Sequence, residues 1–259
     1  MRSLTIRVLI ALITFTIGII SASVWLLAPP RTSENGATQN LQSQSQKRSE
    51  EVMRVLMPDD VWGDVAQLGH FDSAEEIRVL KEAEVEAKNE RAVSIAFLLA
   101  ALGNDYETNR KKVLDALKGC ANKPYPEEGE CTFFVADYLM ELCRRGDFSL
   151  FRPVFDVSNK ADGAFAESLG GFYSAMLYEH PEQFLSSLSP YPENKQRDLC
   201  SSAGVEDGGG MAEQRFLDIR ESLNDIPDTS LRRVARNCLL GLETGYRQAM
   251  ENIKSINAN

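Results

Sequence analysis

Histidine is scarce in this sequence, and the signature motifs of several enzyme classes are missing. Only His70 and His180 occur among 259 residues. There is no His-Glu-x-x-His segment and no Gly-x-Ser-x-Gly segment, so zincin and α/β-hydrolase chemistry has no starting point. We therefore expect no catalytic residue, no metal ligand and no cofactor site.

Other absences narrow the possible folds and partners. No Cys-x-x-Cys pair occurs, which argues against a zinc ribbon or a thioredoxin-like redox motif. Strand-like alternation of apolar and polar residues is also absent. Basic residues are outnumbered: residues 32–259 contain 25 basic and 38 acidic side chains, a net charge of −13. Such a surface repels phosphate backbones, so nucleic acid is not an expected partner.

The longest apolar run lies near the N-terminus. It extends over 21 residues without a charge, from Val8 to Ala28. A helix of that length spans about 31 Å, enough to cross a bilayer core. Trp25 lies where an interfacial aromatic residue is expected, and two arginines precede the run while one follows it. This bias predicts a cytoplasmic N-terminus, with residues 32–259 on the other side of the cell membrane.

Two interpretations of the apolar run stay open. We favour a retained signal anchor, because apolar residues continue through Val24–Leu27. The alternative is a signal peptide that is cleaved after Ser23, the last of three small residues. The first predicts a single-pass inner-membrane protein and the second a secreted one.

A polar linker and a helical domain are predicted to follow residues 1–31. Residues 32–47 are rich in Gln, Ser and Asn and contain almost nothing to bury, which is typical of a disordered linker. Residues 48–259 are long enough to bury a sizeable core as a soluble all-helical domain.

Apolar residues recur at helical spacing through most of that domain. The segment Ser73-Ala-Glu-Glu76 has the form of a capping box and opens the first of these helices. The clearest pattern is that of the last helix, where apolar residues recur for six turns. The helices predicted after the first cover 91–102, 106–118, 132–145, 149–156, 161–178, 181–188, 192–203, 211–223 and, for the last helix, 231–253.

The pattern predicts an all-α fold, either a solenoid-like array or an irregular bundle. The alternation of helix pairs resembles HEAT-like α-solenoid repeats, although it has no fixed period and no tetratricopeptide or ankyrin consensus. The order of apolar segment, polar linker and helical domain also resembles uncharacterised membrane-anchored bacterial proteins. Neither resemblance implies an activity.

Five cysteines allow fifteen arrangements of two disulfides with one thiol left over. Disulfides are permitted if the domain lies outside the cytoplasm. The favoured pair is Cys120–Cys131, which would close the polar loop 121–130, and the second choice is Cys200–Cys238. Five buried thiols that act as small hydrophobic side chains are the alternative.

Two segments are candidate interaction loops. One is Asp207-Gly208-Gly209-Gly210, because three successive glycines destabilise a chain unless they serve close packing or contact. The other surrounds Trp62, which forms an acidic and aromatic cluster with Asp59, Asp60, Asp64 and Asp72 and would dock a cationic partner. A flexible turn and a solvated acidic face are the respective alternatives.

One pair of residues is similar to a known catalytic pair. Glu167-Ser168 resembles the Glu-Ser pair of lytic transglycosylases, in which the Glu acts as general acid. The downstream Gly-Leu-Met-Gln element of that family is absent here. An exposed helical Glu is therefore the favoured interpretation.

Together these observations predict a membrane-tethered, extracytoplasmic helical module that binds another protein or an envelope component without catalysis. The alternative is an envelope hydrolase with a pair of carboxylates. It would require two carboxyl groups that flank a deep cleft, one of them buried against apolar residues.

Overall fold

The computed structural model describes residues 34–57, 68–124, 126–206 and 210–257, with side chains from residue 43 to residue 256 of these ranges. Over them the chain forms eleven α-helices and no strand. The helices are α1 Glu34–Leu56, α2 Ser73–Glu84, α3 Asn89–Ala101, α4 Tyr106–Cys120, α5 Glu127–Arg144, α6 Phe151–Val157, α7 Gly163–Glu179, α8 Pro181–Leu188, α9 Glu193–Val205, α10 Glu213–Asn224 and α11 Arg232–Asn257.

The predicted all-α fold is confirmed, and the helices from α3 to α11 agree with the predicted ranges to within a few residues. Among the first residues of these helices, the largest difference is at α5, which begins at Glu127 rather than at residue 132. Three acidic residues, Glu127, Glu128 and Glu130, occupy its first turn. Negative side chains are stabilised at a helix N-terminus, which explains the earlier start.

The structure has a helix where the sequence predicts a disordered linker. Most of residues 32–47 lie in α1, which begins at Glu34. Glutamine, alanine, lysine and arginine are good helix formers even where no apolar face is buried. Contacts one turn apart add to this: Gln46 Nε2 donates to Glu50 at 3.2 Å, and Arg48 pairs with Glu51 at 3.1 Å.

None of the helices in the described ranges is both long and apolar enough to span a bilayer. Val8, Trp25 and Ala28, on which the anchor prediction depends, lie outside the described residues.

Helix α2 begins one residue away from the predicted cap. Asp72, in an extended conformation, is the N-cap, and its carboxylate accepts from Ala74 N at 2.9 Å. Ser73 is already helical. Glu76 is fully buried and its Oε1 accepts from the backbone N–H groups of Gly69 and Phe71 at 3.0 and 3.2 Å. Because an Asp precedes the Ser, Asp72 rather than Ser73 takes the N-cap position.

The chain divides into two compact units, Met1–Val52 and Met53–Asn259. An aromatic cluster fills the centre of the second, with ring centroids 5.0–6.0 Å apart. Burial of each such ring contributes about 1.5–3 kcal/mol. Helices α6, α7 and α8 supply its members: Phe151, Phe155, Phe172, Tyr173 and Phe184.

Helices α7, α9 and α11 approach each other at glycines. A Cβ at Gly170 would lie 2.2 Å from the carbonyl oxygen of Glu206. A Cβ at Gly241 would lie 2.2 Å from the carbonyl oxygen of Arg197, and one at Gly245 would lie 2.0 Å from that of Ser201. Only glycine permits backbones this close, so these residues set the spacing of the three helices.

Two disulfides join helices of the second unit, and they are the two pairs favoured from the sequence. Cys120–Cys131 links α4 to α5, with a Cα–Cα distance of 5.5 Å. Cys200–Cys238 links α9 to α11 at 5.1 Å. Cys143 is a free, buried thiol.

Candidate binding groove between α5 and α7

The N-terminal ends of α5 and α7 lie side by side and leave a groove between them. The Cys120–Cys131 disulfide ties the last residue of α4 to the second turn of α5. On the other side, the 3₁₀ turn Ser158–Lys160 leads into Gly163, which begins α7 with a φ of 46°. Because this backbone conformation strongly favours glycine, the entry into α7 depends on Gly163.

Two adjoining pockets make up the groove. The wide pocket has a volume of about 460 Å³ and is lined by both helix ends and the turns that precede them. The aromatic pocket has a volume of about 250 Å³ and is lined by Phe133, Phe134, Asp137 and Ser168. Phe133 lines both pockets, so they adjoin at this ring. The wide pocket is lined by Pro126, Glu128, Gly129, Glu130, Phe133, Lys160, Asp162, Gly163, Ala164 and Phe165.

Stacked aromatic rings form the rigid floor of the groove. Phe133 of α5 stacks on Phe165 of α7, with centroids 5.0 Å apart and planes 21° apart. Phe134 packs on Tyr138 at 4.7 Å. Tyr138 in turn stacks on Phe97 of α3 at 4.1 Å and donates to Ser94 at 2.6 Å. Aromatic pairs of this kind contribute about 0.5–1.5 kcal/mol beyond area burial, so the floor is anchored in the core.

Acidic side chains predominate in the wide pocket. Glu128, Glu130 and Asp162 line it, against one basic residue, Lys160, whose Nζ pairs with Glu128. Glu128 and Glu130 also lie in the first turn of α5, where negative charge stabilises the helix. Their presence therefore has a structural reason, although they also make the pocket attractive to cations.

Asp137 has no such structural reason. It lies in the third turn of α5, four residues after Phe133 and three after Phe134, and thus on the same face. Asp137 is exposed to solvent, and partial desolvation beside these rings raises the pKa of its carboxyl; the positive charge of Arg144 opposes this shift and Glu141 reinforces it. Within the described ranges this carboxyl makes no hydrogen bond and no ion pair.

The two candidate interaction loops of the sequence lie away from the groove or outside the described residues. Trp62, Asp207, Gly208 and Gly209 lie outside the described residues. Gly210 has a φ of 78°, and a Cβ there would lie 2.7 Å from Met250 Cε of α11, so it serves close packing.

Four other residues named from the sequence have described positions. Ser168 lines the aromatic pocket, whereas its neighbour Glu167 is exposed and is not among the residues that line either pocket. His180 caps α8 and its ring packs on Phe148 at 4.7 Å. His70 is exposed in the turn before α2.

The groove residues were missed because the stretch 132–145 was interpreted only as an apolar helix. A signal was available: Asp137 is the only charged residue between Thr132 and Met140. A single carboxylate in such an apolar stretch lies at the surface or is paired, because Asp is almost never fully buried without a partner.

The chemistry that the groove offers is recognition of a cationic, partly apolar ligand. Across the described residues, no group of three or more His, Cys, Asp or Glu side chains has the arrangement of a metal site.

No family model, curated protein or solved structure matches this chain.

Proposed function

We propose that this chain is a membrane-tethered, extracytoplasmic module that captures a basic segment of another protein in the groove between α5 and α7. The observation that supports this most is the combination of an open aromatic floor with carboxylates that have no counter-ion. Glu130, Asp137 and Asp162 make no ion pair with any described residue. A cationic partner would neutralise them and cover the exposed part of the Phe133 ring.

A photo-crosslinking amino acid at Gly129 tests the groove directly. Gly129 lines the wide pocket, and no described atom lies within 4 Å of the position that its Cβ would take. The full chain with this substitution, in native membranes, should form an adduct whose crosslinked residue lies in a basic segment of another protein. The matched control is Gly119, which is also helical and open but does not line the groove.

The result that would overturn the proposal is equally specific. An absence of adducts at Gly129, or the same adducts at Gly129 and Gly119, means that the groove is not the contact surface. A second variant, Gly129→Trp, should fill the wide pocket and abolish co-purification of the crosslinked partner, while Gly119→Trp should leave it unchanged.

The tether and the outside location are parts of the same proposal. The charge-free run from Val8 to Ala28 and the net charge of −13 over residues 32–259 support them. Alkaline phosphatase, which is active only outside the cytoplasm, should be active when fused after Asn259. Activity of a cytosol-only reporter at the same position would contradict this placement.

An envelope hydrolase is the second candidate function, and one observation favours it. Asp137 combines an apolar pocket with a raised pKa, as a general acid requires. A carboxylate of the adjoining wide pocket would be its partner. The full chain would then release soluble fragments from isolated cell-wall polymer, and Asp137→Asn would abolish the release. No release, or release that survives this substitution, removes the candidate.

A further inference from the structure

The aromatic pocket holds a carboxylate without a counter-ion of its own. The basic side chain whose charge acts on Asp137 is Arg144. Arg144 is already engaged: it pairs with Glu141 at 3.4 Å, and its guanidinium lies over the Phe172 ring at 5.3 Å. Asp137 is exposed to solvent, so its negative charge is open to a cation from outside the described chain. Such a cation would complement this charge.

The walls of the pocket are suited to an organic cation. Phe133 and Phe134 line it together with Asp137, and the face of an aromatic ring attracts a cation. Phe133 is half-buried, so part of its ring is available to a ligand, whereas Phe134 is only 6 % exposed and acts as a fixed wall. The Ser168 hydroxyl adds a hydrogen-bonding group on the α7 side.

The size of the pocket limits what can enter it. At about 250 Å³ it is smaller than typical small-molecule sites of about 300–1,000 Å³. It is suited to one side chain rather than to a helix or a folded element. The adjoining wide pocket, which carries Glu130 and Asp162, would receive the residues that flank this side chain.

We propose that the aromatic pocket takes the guanidinium group of an arginine side chain of the partner protein, with Asp137 as its acceptor and the two phenylalanines as its walls. This inference rests on the proposed function, since it assigns the anchor residue of the segment bound in the groove. Arginine fits better than lysine because its guanidinium is planar, stacks on aromatic rings, loses less hydration and binds a carboxylate through two hydrogen bonds.

A titration of the full chain in detergent micelles tests the assignment. The probes are blocked pentapeptides with a central arginine, lysine or citrulline, the last of which is a neutral isostere of arginine. Binding is followed by the chemical shifts of isotope-labelled phenylalanine rings. The arginine peptide should shift the Phe133 and Phe134 signals, and the citrulline peptide should bind at least about tenfold more weakly, because it lacks the charge-assisted hydrogen bond.

Asp137→Asn is the decisive variant, since it keeps the shape of the side chain and removes its charge. It should weaken binding of the arginine peptide at least about tenfold and leave binding of the citrulline peptide unchanged. Asp225→Asn is the matched control, because Asp225 is an exposed carboxylate that is not among the residues lining either pocket. It should change neither affinity by more than about twofold. The thermal unfolding curve of each variant shows that it is folded.

The outcomes separate this inference from the proposed function. Equal binding of arginine and citrulline, or arginine binding that survives Asp137→Asn, overturns the arginine pocket even if the Gly129 adduct forms. Tighter binding of lysine than of arginine overturns the assignment to a guanidinium. If the Gly129 adduct does not form, the proposed function fails, whichever peptide binds.

Discussion

At the scale of single residues, two carboxylates of the same region differ in their surroundings. Asp137 is exposed to solvent beside aromatic side chains, and partial desolvation raises the pKa of its carboxyl. Burial also acts to raise the pKa of Asp147, but hydrogen bonds from Ser149, Tyr106 and Arg110 outweigh it and lower that pKa. Asp137 is therefore free to receive a cation, whereas Asp147 already pairs with Arg110.

Asp137→Asn should stabilise the protein near neutral pH. A carboxyl with a raised pKa in the folded state favours the unfolded state once it is ionised. The native Asp137 therefore lowers the free energy of unfolding as pH rises. We expect a higher melting temperature than wild type at about pH 7.5, and a difference that vanishes below about pH 4, where both states are protonated. Thermal unfolding followed by circular dichroism at several pH values measures this. A lower melting temperature at pH 7.5 would contradict the interpretation.

Asp147→Asn should have the opposite effect. Asp147 accepts from Tyr106 Oη at 2.6 Å and from Arg110 Nε at 2.5 Å, and these bonds connect the turn after α5 to α4. Loss of the charge should cost about 1–3 kcal/mol at neutral pH. Since the lowered pKa stabilises the folded state only while the carboxyl is ionised, the cost should disappear as pH falls through that pKa. Denaturant unfolding at two pH values tests this.

A suitable control for that experiment is Asp228→Asn. Asp228 is fully exposed, and hydrogen bonds from Ser230 within one turn lower its pKa. Its replacement should have a much smaller effect than that of Asp147, because the bond connects no separate helices. Equal effects of the two substitutions would mean that the Asp147 network does not support the packing of α4 on α5.

At the scale of helices, the crossing of α9 and α11 depends on residues without a side chain. Gly241 and Gly245 are one turn apart on α11 and meet the backbone oxygens of Arg197 and Ser201 on α9. The Cys200–Cys238 disulfide lies between the same two helices. Close backbone contact and a covalent bond therefore act together to hold α11 in place.

Gly245→Ala should destabilise the protein, although alanine is the better helix former. The new Cβ would lie 2.0 Å from the Ser201 carbonyl oxygen, so the helices must move apart. We expect a loss of about 1–3 kcal/mol, as for other overpacked sites. Gly171→Ala is the matched control: Gly171 is also helical, and no described atom lies within 4 Å of its Cβ position. It should stabilise by about 0.5–1 kcal/mol. A change in the free energy of unfolding with the same sign in both variants would contradict this prediction.

The Cys120–Cys131 disulfide should matter for both stability and the groove. It closes a loop with a sequence separation of 11, which in a chain-entropy treatment stabilises the fold by about 3 kcal/mol. Serine at both positions should lower stability by about that amount and should reduce crosslinking at Gly129, because the residues before α5 are no longer held. Double serine substitution at Cys200 and Cys238, distant in sequence, should lower stability without removing the Gly129 adduct.

At the scale of the whole molecule, the state of the five cysteines reports on the fold and its compartment. Cys143 is buried, and burial raises the pKa of its thiol, so the native protein should not react with an alkylating reagent. Denaturant alone should expose one thiol, and denaturant with reductant should expose five. Intact mass after alkylation of protein purified from membranes measures these numbers. Five reactive thiols without reductant would contradict both disulfides and the proposed extracytoplasmic location.

Much of the fold could be predicted from the sequence because its determinants are local. Apolar spacing within 231–253, the proline that begins α8 and the glycines after α3 and α5 all act within one or two turns. The exceptions are also local in origin. The predicted linker, in which good helix formers lack an apolar face, lies largely in α1, and Asp72 replaces Ser73 as the cap of α2.

The candidate groove could not be predicted in this way. Phe133 and Phe165 are 32 positions apart, and only the packing of α5 beside α7 stacks their rings. The same packing places the exposed carboxylate of Asp137 at the edge of a pocket that Phe133, Phe134 and Ser168 also line. The sequence by itself determined where helices form and favoured two disulfide pairs, because spacing and turn chemistry are properties of neighbouring residues. The tertiary structure alone decided which carboxylates lack a counter-ion, because pairing and burial depend on residues from separate helices.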